Sequence, residues 1–254
     1  CLTPTPGARY FLEECEAILD RLDRTKRALG QLGALQRGRL RIACHPAASG
    51  FFLPRLLTGF LQDKPGVDVA LIMRSSAVIE DLIASQQYDI GFAETPARRP
   101  SIHQTDFDLE CVCVVPKSDP LARAAEITPD DLDGKPMAIL FEEHTTAVQT
   151  EAAFVQAGRR FNKRLELRTF LPGIQFVEAG LCYMVCDMIT AYSHVAGREE
   201  ARLAIRRFAP RVGNSVSILA PGYATQARLA ESFAAHLTEA ICAMQDEVAQ
   251  ALAT

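Results

Sequence analysis

Long apolar runs are missing from this 254-residue chain. No stretch of 18 apolar residues occurs, so no membrane-spanning helix is expected. Basic blocks are missing as well. With 27 Lys and Arg against 31 Asp and Glu, the formal net charge is −4. That balance excludes binding to nucleic acid through the bulk electrostatics of this chain alone. The first residues, CLTPTPGARYFLEEC, lack the basic and apolar regions of a signal peptide. Catalytic signatures are also missing: there is no G-x-x-x-x-G-K-[ST], no G-x-G-x-x-G after a strand, no G-x-S-x-G and no H-E-x-x-H. The five histidines, His45, His103, His144, His194 and His236, are scattered. Cys44 and His45 are neighbours in a strand and point to opposite faces, a poor geometry for a nucleophile and its base. Neither an enzyme nor a cofactor is expected. Low-complexity segments and internal repeats are missing too.

What is present is ordinary globular composition, 48% hydrophobic and 23% charged. At this length it makes one large or two modest domains. Eight cysteines sit mostly inside apolar runs and read as small buried hydrophobes in a reducing, cytoplasmic compartment. Cys111-Val112-Cys113 in a strand points both thiols to one face, which a soft metal could use. No His lies at zinc-finger spacing, however, and no metal site is expected. Cys182 and Cys186 read the same way.

Residues 5 to about 35 read as one long helix, with Thr5 as N-cap and Pro6 at the first helical position. Phe11, Cys15, Ile18, Leu22, Thr25, Leu29 and Leu32 form an a/d seam over three heptads. A narrow stripe with charge on both sides favours a partner helix over packing within the domain. Gln36-Arg37-Gly38 is a joint. From Leu40 to Thr95 the chain then alternates: strand Leu40–Cys44, helix Phe51–Gln62 capped by Ser49, strand Val67–Met73, helix Ala77–Ser85 capped by Ser76, strand Tyr88–Ala93. Short connections between strands and helices argue for a parallel sheet covered by helices. The loops His45–Gly50, Ser75–Ala77 and Glu94–Arg98 are built of small residues and carry no catalytic signature, as at the mouth of a binding cleft. A strand at Glu110–Val115 opens a second αβ series. It includes a short helix from Thr128, strand Met137–Phe141, a capping box at Thr146-Ala147-Val148-Gln149, strand Leu165–Phe170, helix Gly173–Ala179 and strand Leu181–Asp187. Strands Leu203–Phe208 and Ser215–Leu219 follow, then a helix from Thr225 to about Leu252.

The ordered set of segments resembles a LysR-type transcriptional regulator that lacks its N-terminal winged helix-turn-helix. Leu2-Thr3-Pro4-Thr5 with Gly7 looks like the family's L-T-P-x-G before the linker helix. Gly38-Arg39-Leu40-Arg41-Ile42-Ala43 looks like its G-x-L-R-I-A. Leu53-Pro54, Leu56-Leu57, Phe60, Pro65 and Val67 fit its first helix and second strand. Tyr88-Asp89-Ile90-Gly91, Val114-Val115-Pro116, Asp119-Pro120-Leu121, Leu132-x-Gly134-Lys135-Pro136 and Val177-Glu178-Ala179-Gly180 follow in family order. Gly91–Thr95, Glu110–Pro116 and Asp187-x-x-Thr190-Ala191 look most like the branch that senses lysine-type amino acids and opines. There are departures: Gly180-Leu181-Cys182 replaces G-x-G, and Met188 stands where a proline is frequent.

The resemblance implies an α/β fold like type 2 periplasmic binding proteins: two αβ subdomains, a cleft and two crossing strands, preceded by a long linker helix. Residues 1–37 would be the dimerisation helix, 38–113 with 215–254 subdomain I, and 114–214 subdomain II. It also implies a small-molecule effector, a homodimer through the linker helix and a tetramer, and promoter DNA bound only through the absent N-terminal domain. The alternative is the periplasmic solute-binding protein of a transporter. That class shares the fold but calls for a signal peptide and no dimerising helix.

The cleft candidates follow from loop chemistry. Pro46, Ala47, Ala48 and Ser49 precede a helix, where free N–H groups and the dipole favour a carboxylate. Ser75 and Ser76 repeat that arrangement, and the family pattern gives Ser76 an effector contact. Glu94 and Thr95 end a strand at the carboxyl edge of the sheet, where ligands bind in open αβ folds. An acid there suits an ammonium or guanidinium group. Asp187 is the matching acid of the second series. Phe141, His144 and Thr145 form one facing loop and Gly173, Ile174 and Gln175 another, supplying an apolar wall and hydrogen bonds.

Overall fold

The computed structural model describes residues 5, 11, 14–19, 21, 37–195, 202–223 and 227–253. Of the heptad seam, Phe11, Cys15 and Ile18 fall in described helical residues, with Phe11 70% and Ile18 64% exposed. Pro6, Leu22, Thr25, Leu29 and Leu32, and the Leu2–Pro4 and Gly7 motif, lie outside the described residues.

The first sheet holds β1 (Arg37–Cys44), β2 (Gly66–Met73), β3 (Ile90–Glu94), β4 (Ile102–Phe107) and β11 (Val216–Pro221), in the order β2-β1-β3-β11-β4. β1 runs parallel to both β2 and β3. Between them lie α1 (Pro46–Ser49), α2 (Phe52–Leu61) and α3 (Ser76–Ala84). Ala43, Ala93 and Leu219 of the strands bury against Ile79 and Ile83 of α3. The approach is close. A Cβ on Gly91 would stand 2.8 Å from Ile83 Cγ1 and 2.9 Å from Ile79 Cγ2. Only the missing side chain lets α3 lie this near β3.

The second sheet holds β5 (Cys111–Pro116), β6 (Glu126–Ile127), β7 (Pro136–Leu140), β8 (Asn162–Leu167), β9 (Tyr183–Asp187) and β10 (Leu203–Phe208), in the order β6-β10-β5-β9-β7-β8. It is mixed: β5 is antiparallel to β9 and β10, and β7 is parallel to β8 and β9. Its helices are α4 (Thr145–Gln156), α5 (Leu171–Glu178) and α6 (Met188–Val195). Gly158 and Gly180 follow α4 and α5 at φ +64° and +70°, where a residue without Cβ closes the helix at no steric cost. The core gathers Cys111, Cys113, Val115, Met137, Phe154, Val185 and Phe208.

The described residues form two compact units. One holds those up to His45 with Leu57–Thr105 and Ser217–Leu237; the other holds Pro46–Leu56, Asp106–Val216 and those from Thr238 onward. The ranges differ from the sequence-drawn segments at 46–56, 106–113, 215–216 and 238–254. The reasons are specific bonds. β5 hydrogen-bonds to β9 and β10 of the second sheet. Phe51 packs edge-on to His194 of α6 at 4.6 Å. In α7 (Arg228–Ala253), Glu247 accepts from Tyr192 of α6 at 2.9 Å.

Three local expectations are corrected. Ser49 does not cap α2; it ends α1, and its hydroxyl donates back to Pro46 O at 2.8 Å. The N-cap of α3 is Ser75, not Ser76. The run after Thr128 is a series of turns, not a helix, because Asp131 Oδ2 takes both the Thr128 N–H and hydroxyl at 2.8 Å.

Candidate functional site

The candidate residues fall into two groups, one in each unit. In the first unit, Ser75, Ser76, Glu94 and Thr95 gather where β3 ends and α3 begins. The Glu94 N–H donates to Ser76 Oγ at 3.2 Å, fastening the helix start to the strand end. That bond uses the Ser76 oxygen as acceptor, so its own O–H still has a proton to donate. Ser75 sits at the N-cap with φ −69° and ψ 154°, yet its side chain makes no capping bond. The first-turn N–H groups of α3 therefore lack their usual side-chain acceptor. Ser76, Glu94 and Thr95 are half-buried, and Ser75 is exposed. Thr95 Oγ1 accepts from the Ser217 hydroxyl at 2.8 Å, so β11 contributes a residue that sequence reasoning missed. His45 is buried at the end of β1, its N–H donating to Phe92 O at 2.9 Å and its ring edge-on to Phe92.

The second unit carries Pro46–Ser49, the loop Phe141–Thr145, the start of α5 and Asp187. Asp187 is 3% exposed. Its Oδ1 accepts the Thr190 N–H and its Oδ2 the Thr190 hydroxyl, both at 2.7 Å. Burial pushes its carboxyl above the usual range, against the bonds from Thr190 and the nearby His144, which hold it down. Asp187 therefore acts locally as an N-cap of α6. Thr190, noted only as part of a motif, is its partner.

His144 is the N-cap of α4, its Nδ1 accepting the Thr146 N–H at 3.3 Å. The expected capping box at Thr146–Gln149 is not formed; the helix starts two residues earlier, capped by His144, and Gln149 bonds elsewhere. Phe141 is 39% exposed, with the Arg168 guanidinium 5.9 Å above its ring and Glu143 paired to Arg168 at 2.9 Å. Gly173 and Ile174 face inward: Ile174 is fully buried, and a Cβ on Gly173 would collide with the Met184 sulfur. Gln175 is exposed and donates to Glu178 at 3.3 Å. Of that trio, Gln175 alone presents a polar group to solvent.

Cys44, Cys111, Cys113, Cys182 and Cys186 behave as core, whereas Cys15 is half-buried and Cys242 exposed. Burial pushes the Cys44 thiol up to about 12 and Cys182 up to about 11, and raises Cys113 and Cys186 as well. Thiols held in that state are poor nucleophiles and poor ligands. Among the described residues no group of three or more His, Cys, Asp and Glu could hold a metal, and no helix is long and apolar enough to cross a membrane.

Comparison with known proteins adds what geometry alone does not carry. The LysR substrate binding domain family matches residues 33–241. The transcriptional activator protein LysR of Escherichia coli is 29% identical over 237 residues, covering 93% of this chain and 75% of that protein. The octopine catabolism/uptake operon regulatory protein OccR of Rhizobium meliloti is 32% identical over 161 residues, covering 63% of this chain and 53% of that protein. The regulatory domain of CcmR from Synechocystis PCC6803, solved with 2-PG, superposes with a TM-score of 0.63 at 21% identity over 80% of this chain and 97% of that one. These relatives are regulators, not enzymes or transporter proteins.

Proposed function

Because this chain belongs to the LysR-type transcriptional regulators and carries their effector-binding domain, with the type 2 periplasmic-binding-protein-like fold of that family, we propose that its effector is amino-acid-like. One observation carries the reading: the single bond from the Glu94 N–H to Ser76 Oγ. It brings an N–H-rich helix start and a carboxylate-bearing residue within one hydrogen bond of each other. A free α-amino acid head has the complementary pair, a carboxylate and an ammonium on one carbon. The carboxylate takes the first-turn N–H groups of α3 and the Ser76 hydroxyl, and the ammonium takes Glu94. In the second unit, the two oxygens of Asp187 are both engaged by Thr190.

Isothermal titration of the chain with basic amino acids, opines and plain aromatic carboxylic acids tests this. Heat from the first two classes is expected, with affinity reduced roughly tenfold or more in Glu94→Ala. Heat from aromatic carboxylates alone overturns it, as does undiminished affinity in Glu94→Ala. The same reading assigns assembly to the a/d seam, whose described members Phe11 and Ile18 are exposed in the single chain. Promoter DNA is the further partner that this reading gives the regulator.

A further inference from the structure

Gln149 has a role that neither its helix nor the proposed effector contact requires. Its side-chain Oε1 accepts the Gly213 N–H at 2.9 Å, and its Nε2 donates to Gly213 O at 3.3 Å. One amide thus grips both polar groups of one backbone residue, as a neighbouring strand would. Gly213 lies shortly before one of the places where the backbone passes between the two units, which are 45–46, 56–57, 105–106, 216–217 and 237–238. The stretches after 105–106 and before 216–217 run antiparallel. The Cys111 N–H donates to Val212 O at 2.8 Å, the Asn214 N–H donates to Leu109 O at 3.0 Å, and Glu110 bridges Gly213. Arg211 adds an ion pair to Asp108 at 2.7 Å.

The other end of the connection is α4. Thr145 precedes Gln149 by four residues, so the two share a face one turn apart. The helix between them is firmly seated, with Thr146 and Ala147 1% exposed, Phe154 fully buried, and the Thr150 hydroxyl bonded to Thr146 O at 2.8 Å. His144 supplies the cap that the sequence pattern assigned to Thr146 and Gln149. Relieved of that task, the Gln149 side chain reaches out of the helix.

We infer that Gln149 is a positioning residue that transmits the state of α4's first turn to the crossing segment at Gly213. The functional weight of this inference rests on the effector contact expected at His144 and Thr145; the coupling itself does not. A tightening or loosening of that first turn moves a rigid helix. The bidentate clasp passes the displacement to Gly213, shortly before the backbone leaves this unit at 216–217.

Hydrogen exchange of the Gly213 and Asn214 amides in the whole chain tests the coupling, using Gln149→Leu, His144→Gly and the double variant. Gln149→Leu is expected to raise exchange at Gly213 roughly tenfold. His144→Gly, which removes the cap, is expected to raise it several-fold in the wild-type background and not at all in the Gln149→Leu background. Equal His144→Gly effects in both backgrounds overturn the inference and leave Gln149 a merely local bond. Should Gln149→Leu fail to fold, Gln149→Glu replaces it. The carboxylate keeps an acceptor for the Gly213 N–H but loses the donor to its carbonyl, and the same non-additivity is expected. A separate arm adds L-lysine or octopine. Protection at Gly213 in wild type but not in Gln149→Leu, with binding affinity changed less than threefold, extends the coupling to the effector. Absence of binding by either compound counts against the effector reading, while the cap-removal arm still decides the coupling.

Discussion

Glu94 and Asp187 each end an apolar strand with an acid beside a hydroxyl residue near a helix start, yet they are held in opposite ways. At Glu94 the backbone N–H, not the carboxylate, bonds the hydroxyl of Ser76, and the residue stays half-buried. At Asp187 the carboxylate itself is consumed: both oxygens bond Thr190, and the residue is 3% exposed. In one arrangement the backbone makes the fastening bond; in the other the carboxylate itself starts the helix. The lesson is that an acid at a strand's carboxyl end is a site only when the adjoining helix is fastened by something else.

The difference is breakable by substitution. Thr190→Val keeps the shape of the side chain but removes the donor to Oδ2, leaving a buried carboxylate oxygen without it. That should cost about 2–3 kcal/mol of stability. Ser76→Ala removes only an acceptor at a half-buried position that water can serve, and should cost about 1 kcal/mol or less. Urea denaturation of both variants measures the contrast. Equal losses would erase the distinction between an acid that caps a helix and one whose helix is fastened by the backbone.

Binding sharpens the same contrast at smaller scale. Glu94→Gln should weaken a basic amino acid roughly tenfold, about 1.4 kcal/mol, while Asp187→Asn changes it less than about threefold. Calorimetry with L-lysine or L-arginine reads both. A larger loss in Asp187→Asn would reverse the assignment and make the second unit the cation site.

Much of this was legible from residue pattern. Apolar runs such as LRIAC and YMVCD, separated by polar loops, marked both αβ series, and Leu203–Phe208 appears with the bounds that its sequence suggested. What escaped has physical causes. β4 reads IHQTDF, with only its end residues buried, so no apolar run announces this edge strand. α6 follows β9 without any break, because Asp187 serves as strand end and cap together; the spacing from Asp187 to Thr190 was the signal available. The loops at Ser76, Glu94 and His144 were legible as places. Their roles were not, since whether an oxygen accepts or donates, or an isoleucine such as Ile174 faces inward, depends on partners distant in sequence.

The smallest expected effect is a pH dependence that belongs to one acid and not the other. Burial raises the Asp187 carboxyl above its ordinary value of 3.8 in the folded chain. The folded state therefore binds that proton more tightly than the unfolded state. Its contribution to stability is full below about 3.8 and is lost as pH rises through the raised value. Asp187→Asn has no such proton. Its stability relative to wild type should therefore climb from pH 4 upward and level off once wild-type Asp187 is ionised. Exposed carboxylates that are held low, such as Asp108 beside Arg211, are common to both proteins and cancel in the difference. Thermal melts of the pair at half-unit pH steps provide the measurement. Parallel curves, or an Asn variant that loses ground as pH rises, would mean that Thr190 and His144 outweigh burial, and that Asp187 is as well stabilised in its charged form as an exposed acid.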